Sequence, residues 1–466
     1  MNNHFNFMWR NGEVLITNDF GDYAFLSKEE FLQFATGKVD NQTELFEVLS
    51  ARGFITTKDP NVFITERVAD LRNLKGYLFT STALHIFAVT NRCNLNCVYC
   101  QAKSPDSKLD GVMDVKTGKK AIEVAMQSPS KNLTFEFQGG EPLLNFEVIL
   151  AMIEHSKMLN EKLHKNIEYT IVTNLVALTD EKLNALIENG VSICTSLDGC
   201  ELVHNHNRKL YSGQGSYSLV KKAIERVRQA GQHVGAIETT TRFSLDFPVE
   251  IVDEYVSSGL GGIFLRPLTP LGIAKSFWNE VGYSAEEFIS FYKKAFAHIL
   301  EINKKGIYFP ELHATYFLRK ILHGDADNYM ELRSPCGAGI GQMSYYYNGN
   351  VYTCDEGRML GETGDNAFLL GNVLTDSYDD MVGKKICRTT CAASVVETLP
   401  KCCDCAYHPY CGVCPVVAYA SDGDIFPRNP FDFRCRVYKG ILDVLFDYLQ
   451  AGDPEIMDIL HRWIEG

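Results

Sequence analysis

The strongest constraint on the fold is a regular alternation of apolar runs and amphipathic segments from residue 84 to residue 305. The apolar runs predict six strands, at residues 84–90, 133–138, 167–173, 191–197, 234–241 and 263–267. The segments between them predict helices, such as those at residues 115–127, 145–159, 180–188, 219–230 and 248–258. Nearly continuous apolar strands separated by helices are typical of a parallel sheet covered on both faces. Six such units predict an α/β fold with a partial (βα)6 TIM-like barrel, in which functional residues collect at the carboxyl ends of the strands.

Three cysteines, Cys93, Cys97 and Cys100, directly follow the first predicted strand. They supply three thiolates, whereas iron–sulfur clusters and structural zinc normally take four protein ligands. A cluster held by three thiolates leaves one iron open to bind and activate a small molecule. The triplet therefore indicates a catalytic metal site, and the alternatives are a structural zinc or a chance group of thiols.

The composition limits the number of domains and the classes of function. The chain has 466 residues, enough for two or three domains, and a formal net charge of −13. Such an acidic chain lacks the basic surface of a nucleic-acid-binding protein. The N-terminus has no basic segment followed by an apolar one, and no apolar run reaches about 18 residues, so we expect a cytoplasmic protein without a membrane span. Fifteen cysteines without an export signal favour metal binding over a disulfide framework.

The Cys-x3-Cys-x2-Cys spacing, with Tyr99 before the last cysteine, resembles the radical S-adenosylmethionine (SAM) superfamily. The resemblance covers about residues 84–268. It implies a [4Fe–4S] cluster on Cys93, Cys97 and Cys100 whose open iron chelates the amino and carboxylate groups of SAM. In that family the reduced cluster cleaves SAM to a 5′-deoxyadenosyl radical.

Polar and glycine residues follow the next predicted strands. Gly139 and Gly140 let the backbone approach a ligand closely, because no Cβ intervenes. In the resembling family the Gly-Gly-Glu-Pro element holds the amino group of SAM. The same resemblance makes Ser196 and Arg208 the expected ribose and carboxylate contacts and the backbone near Tyr99 an adenine contact. The predicted cofactor-binding residues are Tyr99, Gly139, Gly140, Glu141, Thr173, Asn174, Ser196, Asp198 and Arg208.

The C-terminal cysteines resemble a SPASM-type domain over residues 336–435. Two residues separate Cys411 from Cys414, where the family pattern usually has three. The resemblance implies two auxiliary [4Fe–4S] clusters. One would be ligated by Cys402, Cys405, Cys411 and Cys435, and the other by Cys336, Cys354 and Cys414. Gln342 stands where some relatives have a fourth cysteine, so the second cluster has an open iron or borrows Cys387, Cys391 or Cys403. Zinc is the alternative for the whole run, because Cys-x2-Cys pairs also occur in zinc ribbons.

Asp355 directly follows Cys354. In the resembling sulfatase-maturating enzymes an aspartate at this position serves as a base, so Asp355 is the predicted catalytic residue. A carboxylate beside a cluster could take a proton from a substrate radical. The alternative is that it only orients the cluster loop.

The chain is predicted to divide into four parts. Residues 1–78 form a winged-helix-like unit that resembles leader-peptide recognition domains, or alternatively a cover for the barrel. Residues 79–325 form the radical SAM partial barrel, residues 326–436 the SPASM-type domain, and residues 437–466 a C-terminal helical segment. The N-terminal unit is expected to contain a hairpin around Gly21, a helix capped by Ser27, a helix before Gly53 and a strand at residues 54–56.

Three stretches of the sequence resemble the maturases of the His-Xaa-Ser peptide system, namely residues 133–146, 193–199 and 15–27. It implies hydrogen abstraction from a ribosomally made precursor peptide and an oxidative crosslink, either a thioether or a C–C bond. The partners would be that peptide with its leader and an electron donor of the flavodoxin or ferredoxin type, without nucleic acid or membrane. The alternatives are a formylglycine-forming sulfatase maturase and a non-enzymatic Fe–S or zinc scaffold.

Overall fold

The computed structural model describes residues 1–105, 108, 110–326 and 332–465. Its N-terminal unit is a three-stranded antiparallel sheet with three helices. The strands are β1 (Asn6–Arg10), β2 (Glu13–Thr17) and β3 (Tyr23–Leu26). The helices are α1 (Lys28–Ala35), α2 (Glu44–Ala51) and α3 (Pro60–Leu74).

Local sequence signals explain most of this unit. The Ser27 side chain accepts from the Glu30 N–H, and the Glu30 carboxylate accepts from the Ser27 N–H, so the predicted helix start is confirmed as a capping box. The hairpin between β2 and β3 is also confirmed. The predicted strand at residues 54–56 is wrong, because Ile55 forms only an isolated bridge with Asn2.

A nine-stranded sheet forms the centre of the described residues, in the order β11-β10-β8-β7-β6-β4-β12-β13-β14. Two short strands, β5 and β9, pair separately. The strands are β4 (Leu84–Ala88), β5 (Leu95–Cys97), β6 (Asn132–Gln138), β7 (Asn166–Thr173), β8 (Val191–Ser196), β9 (Arg208–Leu210), β10 (Val234–Thr240), β11 (Leu265–Pro267), β12 (Gln342–Tyr346), β13 (Asn350–Tyr352) and β14 (Leu369–Asn372).

The six predicted strands are confirmed as β4, β6, β7, β8, β10 and β11, which run parallel in that order. The sheet continues further than the sequence pattern indicates. Strand β12, from the cysteine-rich segment, pairs in parallel with β4, and β13 and β14 extend the sheet in antiparallel fashion.

Helices fill the connections between strands and form the C-terminal end. Those before residue 330 are α4 (Val115–Ala125), α5 (Phe146–Leu163), α6 (Asp180–Glu188), α7 (Glu201–Asn207), α8 (Tyr217–Gln229), α9 (Pro248–Ser257), α10 (Gly272–Ser276), α11 (Trp278–Val281), α12 (Ala285–Lys304) and α13 (Leu312–Leu318). The later ones are α14 (Asp355–Glu362), α15 (Tyr378–Val382), α16 (Lys385–Ala392), α17 (Pro415–Asp422), α18 (Phe433–Ala451) and α19 (Pro454–Glu465). Within the described ranges, none of the helices combines the length and apolarity needed to cross a membrane.

The barrel strands have two different faces. On β6, Leu133, Phe135 and Phe137 are buried in the core between sheet and helices. The alternate side chains, including Glu136 and Gln138, are half-buried on the opposite face, which we call the lumen face. Side chains alternate with period two along a strand, so one strand supplies both the core and the lumen.

The N-terminal unit packs on the cysteine-rich segment. The Thr17 hydroxyl donates to the Ala406 carbonyl (2.7 Å), and Asn6 donates to the Cys403 carbonyl (3.0 Å). Arg10 donates to the Tyr407 hydroxyl (2.8 Å). These contacts join the first strands of the chain to the predicted auxiliary-cluster loop.

Candidate functional site

The predicted cluster thiols lie on a loop just beyond the carboxyl end of β4. Strand β5 pairs with β9 so that Cys97 lies opposite Arg208. The Leu95 N–H donates to the Cys93 sulfur (3.4 Å). The pKa of Cys97 is raised to about 12, mainly by burial, while Arg208 lowers it and the nearby Cys100 raises it. Burial also raises the pKa of Cys93, with a further contribution from Cys97. Three thiols this close together and this buried favour a bound cation, because metal binding replaces their protons.

The glycine pair fixes this loop against the end of β6. The Gly140 N–H donates to the Thr90 carbonyl (2.8 Å), and the Glu141 N–H donates to the Arg92 carbonyl (2.7 Å). A Cβ on Gly139 would lie 2.2 Å from the Thr90 oxygen, and one on Gly140 would lie 2.2 Å from the Arg92 oxygen. Gly139 also has a φ of +150°. Only glycine permits this approach of two backbones.

The Glu141 carboxylate is fully buried and joins the ends of β6 and β7. It accepts from the Thr173 hydroxyl (2.6 Å), the Asn174 N–H (2.8 Å) and the Leu143 N–H (3.0 Å). Burial raises its pKa, and these hydrogen bonds lower it again. Thr173 and Asn174 are therefore held in place at the strand end by the same residue that the sequence places after the glycine pair.

Two polar side chains touch the cluster thiols. Asn174 Nδ2 lies 3.8 Å from the Cys93 sulfur and donates to Asn94 (2.7 Å). Arg208 Nη1 lies 3.9 Å from the Cys97 sulfur. The structure thus brings residues from three separate segments to one loop, as the sequence predicts.

Asp198 is fully buried and supports the arginine. Its carboxylate forms an ion pair with Arg208 Nε (3.0 Å) and accepts from the Tyr99 hydroxyl (2.8 Å). The guanidinium also lies over the Tyr99 ring, 5.3 Å from its centroid. Ser196 is half-buried at the end of β8. The side chains of Asp198 and Tyr99 are therefore used to orient Arg208.

One C-terminal cavity is lined by the four thiols of Cys402, Cys405, Cys411 and Cys435, and also by Cys414. Burial raises the pKa of Cys411 well above its usual range, and the other three thiols raise it further. Asn429 Nδ2 donates to the Cys402 sulfur (2.9 Å). The first four are the cysteines that the SPASM resemblance implies for a single cluster.

A second C-terminal group contains Cys336, Cys354 and Cys414, which are buried in one apolar cluster with Phe368 and Val416. Burial raises the pKa of Cys354, and Glu356, Cys414 and Cys336 add to the increase. Cys354 precedes α14, and its sulfur accepts from the Gly357 N–H (3.4 Å). The thiols of this group are thus neighbours, as predicted.

The candidates for a fourth ligand of that group are Cys387, Cys391 and Cys403. Cys387 and Cys391 lie one turn apart on α16, and a hydrogen bond between their thiols lowers the pKa of Cys387. The Cys403 carbonyl accepts from Asn6 of the N-terminal unit. Gln342 is buried in β12.

Among the described residues, no group of three or more His, Cys, Asp or Glu side chains converges closely enough to hold a single metal ion. An iron–sulfur cluster has a different requirement, because each thiolate binds a separate iron of the cluster. Buried sets of three and four neighbouring thiols therefore fit clusters by the chemistry of their donors.

Residues 87–256 match the model of the radical SAM superfamily. This segment is a radical SAM domain. It contains Cys93, Cys97 and Cys100 together with the glycine pair. The radical SAM fold binds SAM and a [4Fe–4S] cluster.

Curated relatives of the radical SAM domain include proteins with and without a described activity. An uncharacterised protein of Methanocaldococcus jannaschii is 30% identical over 40% of this chain and 62% of its own length. The radical SAM cyclopropyl synthase TigE of Paramaledivibacter caminithermalis is 26% identical over 51% of this chain and 50% of its own. A cysteine-type anaerobic sulfatase-maturating enzyme of Clostridium perfringens is 24% identical over 59% of this chain and 74% of its own length. The chain thus spans half to three quarters of these relatives.

Solved structures share the fold over more of the chain. Native anSMEcpe with bound AdoMet has a TM-score of 0.70 at 20% identity, covering 82% of this chain and 99% of that one. Streptococcus suis SuiB bound to precursor peptide SuiA has a TM-score of 0.54 at 14% identity, covering 91% of this chain and 97% of that one. Both likenesses establish the α/β fold with its mostly parallel central sheet.

Asp355 lies beyond the radical SAM domain, on the first turn of α14. Its Oδ1 accepts from Arg358 Nε (2.7 Å) and from the Ser344 hydroxyl (3.3 Å). Asp355 also lies close enough to Glu136 to raise the pKa of that residue. Glu136 was not among the predicted site residues, although its polar side chain at an alternate position of a predicted strand was a usable signal.

Proposed function

We propose that the chain is a radical SAM enzyme that modifies a ribosomally made peptide by hydrogen abstraction and forms an oxidative crosslink, either a thioether or a C–C bond. The observation that carries this proposal is the half-buried thiol triplet beside the glycine pair, in a radical SAM domain followed by two further groups of neighbouring thiols. Relatives that act on peptides support it. If the chain is one of the His-Xaa-Ser maturases, its substrate would be the precursor peptide of that system.

Cys93, Cys97 and Cys100 would hold the SAM-binding [4Fe–4S] cluster. That cluster, when bound and reduced, supplies the cleavage of SAM that starts the radical reaction. The backbone of Gly139 and Gly140 would receive the ammonium group of SAM. Thr173, Asn174 and Ser196 stand at the strand ends where the ribose is expected, with Glu141 holding the first two in place.

Arg208 would pair with the SAM carboxylate as a fork-shaped donor. Asp198 would keep the guanidinium in place, since it already forms the ion pair with Nε. The backbone near Tyr99 would contact the adenine. The half-enclosed barrel excludes water around these groups, which protects a radical from side reactions.

The C-terminal thiols would hold two auxiliary [4Fe–4S] clusters, one on Cys402, Cys405, Cys411 and Cys435 and one on Cys336, Cys354 and Cys414. Potentials of such clusters range over roughly −700 to +450 mV, so one of them can accept the surplus electron. A flavodoxin- or ferredoxin-type donor would supply the first electron in the cytoplasm. The leader would add as a strand to the N-terminal unit.

Anaerobic reconstitution tests this proposal directly. We expect iron and sulfide in equal amounts, 5′-deoxyadenosine on addition of SAM and reductant, and a two-dalton loss in a co-expressed precursor peptide measured by mass spectrometry. The triple variant Cys93→Ala, Cys97→Ala, Cys100→Ala should lose 5′-deoxyadenosine formation and keep auxiliary iron. Zinc without sulfide would instead indicate a scaffold, and modification of the peptide by the triple variant would contradict the proposal.

Formylglycine formation is the second candidate, because sulfatase-maturating enzymes of Clostridium match the same domain. The two candidates differ in the product. An aldehyde on the substrate peptide reacts with a hydrazide reagent, whereas a thioether or C–C crosslink does not. Hydrazide labelling of the product peptide would therefore favour this second function.

A further inference from the structure

The lumen of the barrel contains a group of polar side chains that none of the cofactor contacts uses. Glu136 is on the lumen face of β6, two residues before Gln138 and three before the glycine pair. Its register partner on β7 is Thr170. Cys194 on β8 and Arg266 on β11 complete the group, and all of these side chains are half-buried.

Charged and titratable groups reach Glu136 from several elements. Asp355 approaches from the start of α14, Arg266 from β11 and Cys194 from β8. On β4 the register partner is the apolar Ile86. The pKa of Glu136 is raised to about 7, first by burial and then by Asp355, while Arg266 and Thr170 act to lower it. A carboxyl group with this pKa can both accept and release a proton near neutral pH.

Asp355 has a different environment, although it is the residue that the sequence singles out. Its Oδ1 is bound by Arg358 Nε and the Ser344 hydroxyl, and Arg358 is almost completely buried. Two donors therefore already occupy this carboxylate oxygen. Asp355 is therefore suited to orient Arg358 and to set the charge around Glu136.

We propose that Glu136 is the catalytic base of the lumen and accepts the proton that the peptide loses when its new bond forms. This rests on the proposed function. A peptide C–H bond gives its hydrogen atom to the 5′-deoxyadenosyl radical, and a second peptide group, Y–H, gives its proton to the Glu136 carboxylate. The C–Y bond forms, and the remaining electron passes to an oxidised iron–sulfur cluster. One hydrogen atom, one proton and one electron leave, which balances the loss of two hydrogens.

The test compares Glu136→Gln with one control, Glu168→Gln, in the reconstituted enzyme and a deuterated precursor peptide. Glu168→Gln changes an exposed carboxylate on β7 near the opposite end of the strands. We expect Glu136→Gln to transfer deuterium into 5′-deoxyadenosine at near the wild-type rate while crosslinked product falls by roughly 100-fold. Wild-type product formation should rise with pH through about 7, because the carboxylate form is the base. Glu136→Gln should lose this rise and Glu168→Gln should keep it.

A second measurement needs no turnover. The infrared difference spectrum between the wild type and Glu136→Gln should show a protonated carboxyl band that titrates near pH 7. Its absence would overturn the assignment. Wild-type product yield from Glu136→Gln with normal deuterium transfer would also overturn it while leaving the proposed function intact. Failure of the wild type to cleave SAM would overturn the proposed function and this proposal together.

Discussion

The barrel and the cysteine-rich segment hold their thiols in different ways. In the barrel, the Cys93 loop is fixed by backbone hydrogen bonds to Gly140 and Glu141 and by the pairing of β5 with β9. In residues 332–435, short elements surround buried thiols, and the cysteines themselves form part of the apolar cluster. A preformed loop needs no metal to keep its shape, whereas a segment built around its thiols depends on the metal for stability.

Removal of iron should have the largest effect and should separate the two regions. We expect amide exchange in residues 342–414 to accelerate by more than about 100-fold after anaerobic chelation, while strands β6 and β7 keep their protection. Hydrogen–deuterium exchange with mass spectrometry measures both regions in one sample. Equal loss of protection in the two regions would show that the barrel also depends on its cluster.

Gly140→Ala should affect the barrel site alone. The new Cβ would meet the Arg92 carbonyl at 2.2 Å, so the cysteine loop must move away from the strand end. We expect the variant to lose about one third of its iron on reconstitution, since three thiol sets bind clusters in the proposed function. Gly261→Ala is the matched control, because nothing lies within 4 Å of its Cβ position. Full iron content in Gly140→Ala would contradict the preformed loop.

Glu141→Gln should weaken the connection between β6 and β7. The carboxylate accepts from three donors, and an amide nitrogen cannot accept, so a buried N–H or hydroxyl loses its partner. We expect a loss of about 1–3 kcal/mol in the free energy of unfolding of the barrel, measured by denaturant titration of the metal-free protein. The exposed Glu168→Gln should change it little. An unchanged stability would indicate that the strand ends are held by other contacts.

Asn429→Ala should have the smallest effect, confined to the C-terminal cluster. If Cys402 holds the proposed cluster, the side-chain N–H bonded to its sulfur would stabilise the reduced state, so its removal should lower the potential of that cluster by on the order of tens of millivolts. Potentiometric titration followed by electron paramagnetic resonance measures the shift. The signal of the SAM-binding cluster in the same sample is the internal control and should not move.

Local patterns account for the parts of the molecule that the sequence predicted correctly. Apolar runs located all six barrel strands to within a few residues. The spacing of Cys93, Cys97 and Cys100 identified one group of neighbouring thiols, and the SPASM resemblance implied the two C-terminal groups. The capping box at Ser27 is also a local signal. Each of these depends on residues that are near one another in the chain.

The features that the sequence did not predict depend on residues far apart in the chain or on ambiguous patterns. Strand β12 was missed because it is short, lies in the cysteine-rich segment and pairs with β4, which is far away in the sequence. The pairing of Cys97 with Arg208 joins segments 111 residues apart. Glu136 was missed as a candidate because only the folded barrel brings it to Asp355.

The parallel pairing of β12 with β4 has a consequence for the boundaries of the chain's folding unit. Without β12, the edge of β4 would present a row of unpaired backbone groups, which promotes aggregation. A fragment that ends after the barrel helices should therefore precipitate or form oligomers, even though it contains every residue expected to bind SAM. The cysteine-rich segment thus protects the barrel from self-association, quite apart from any redox role.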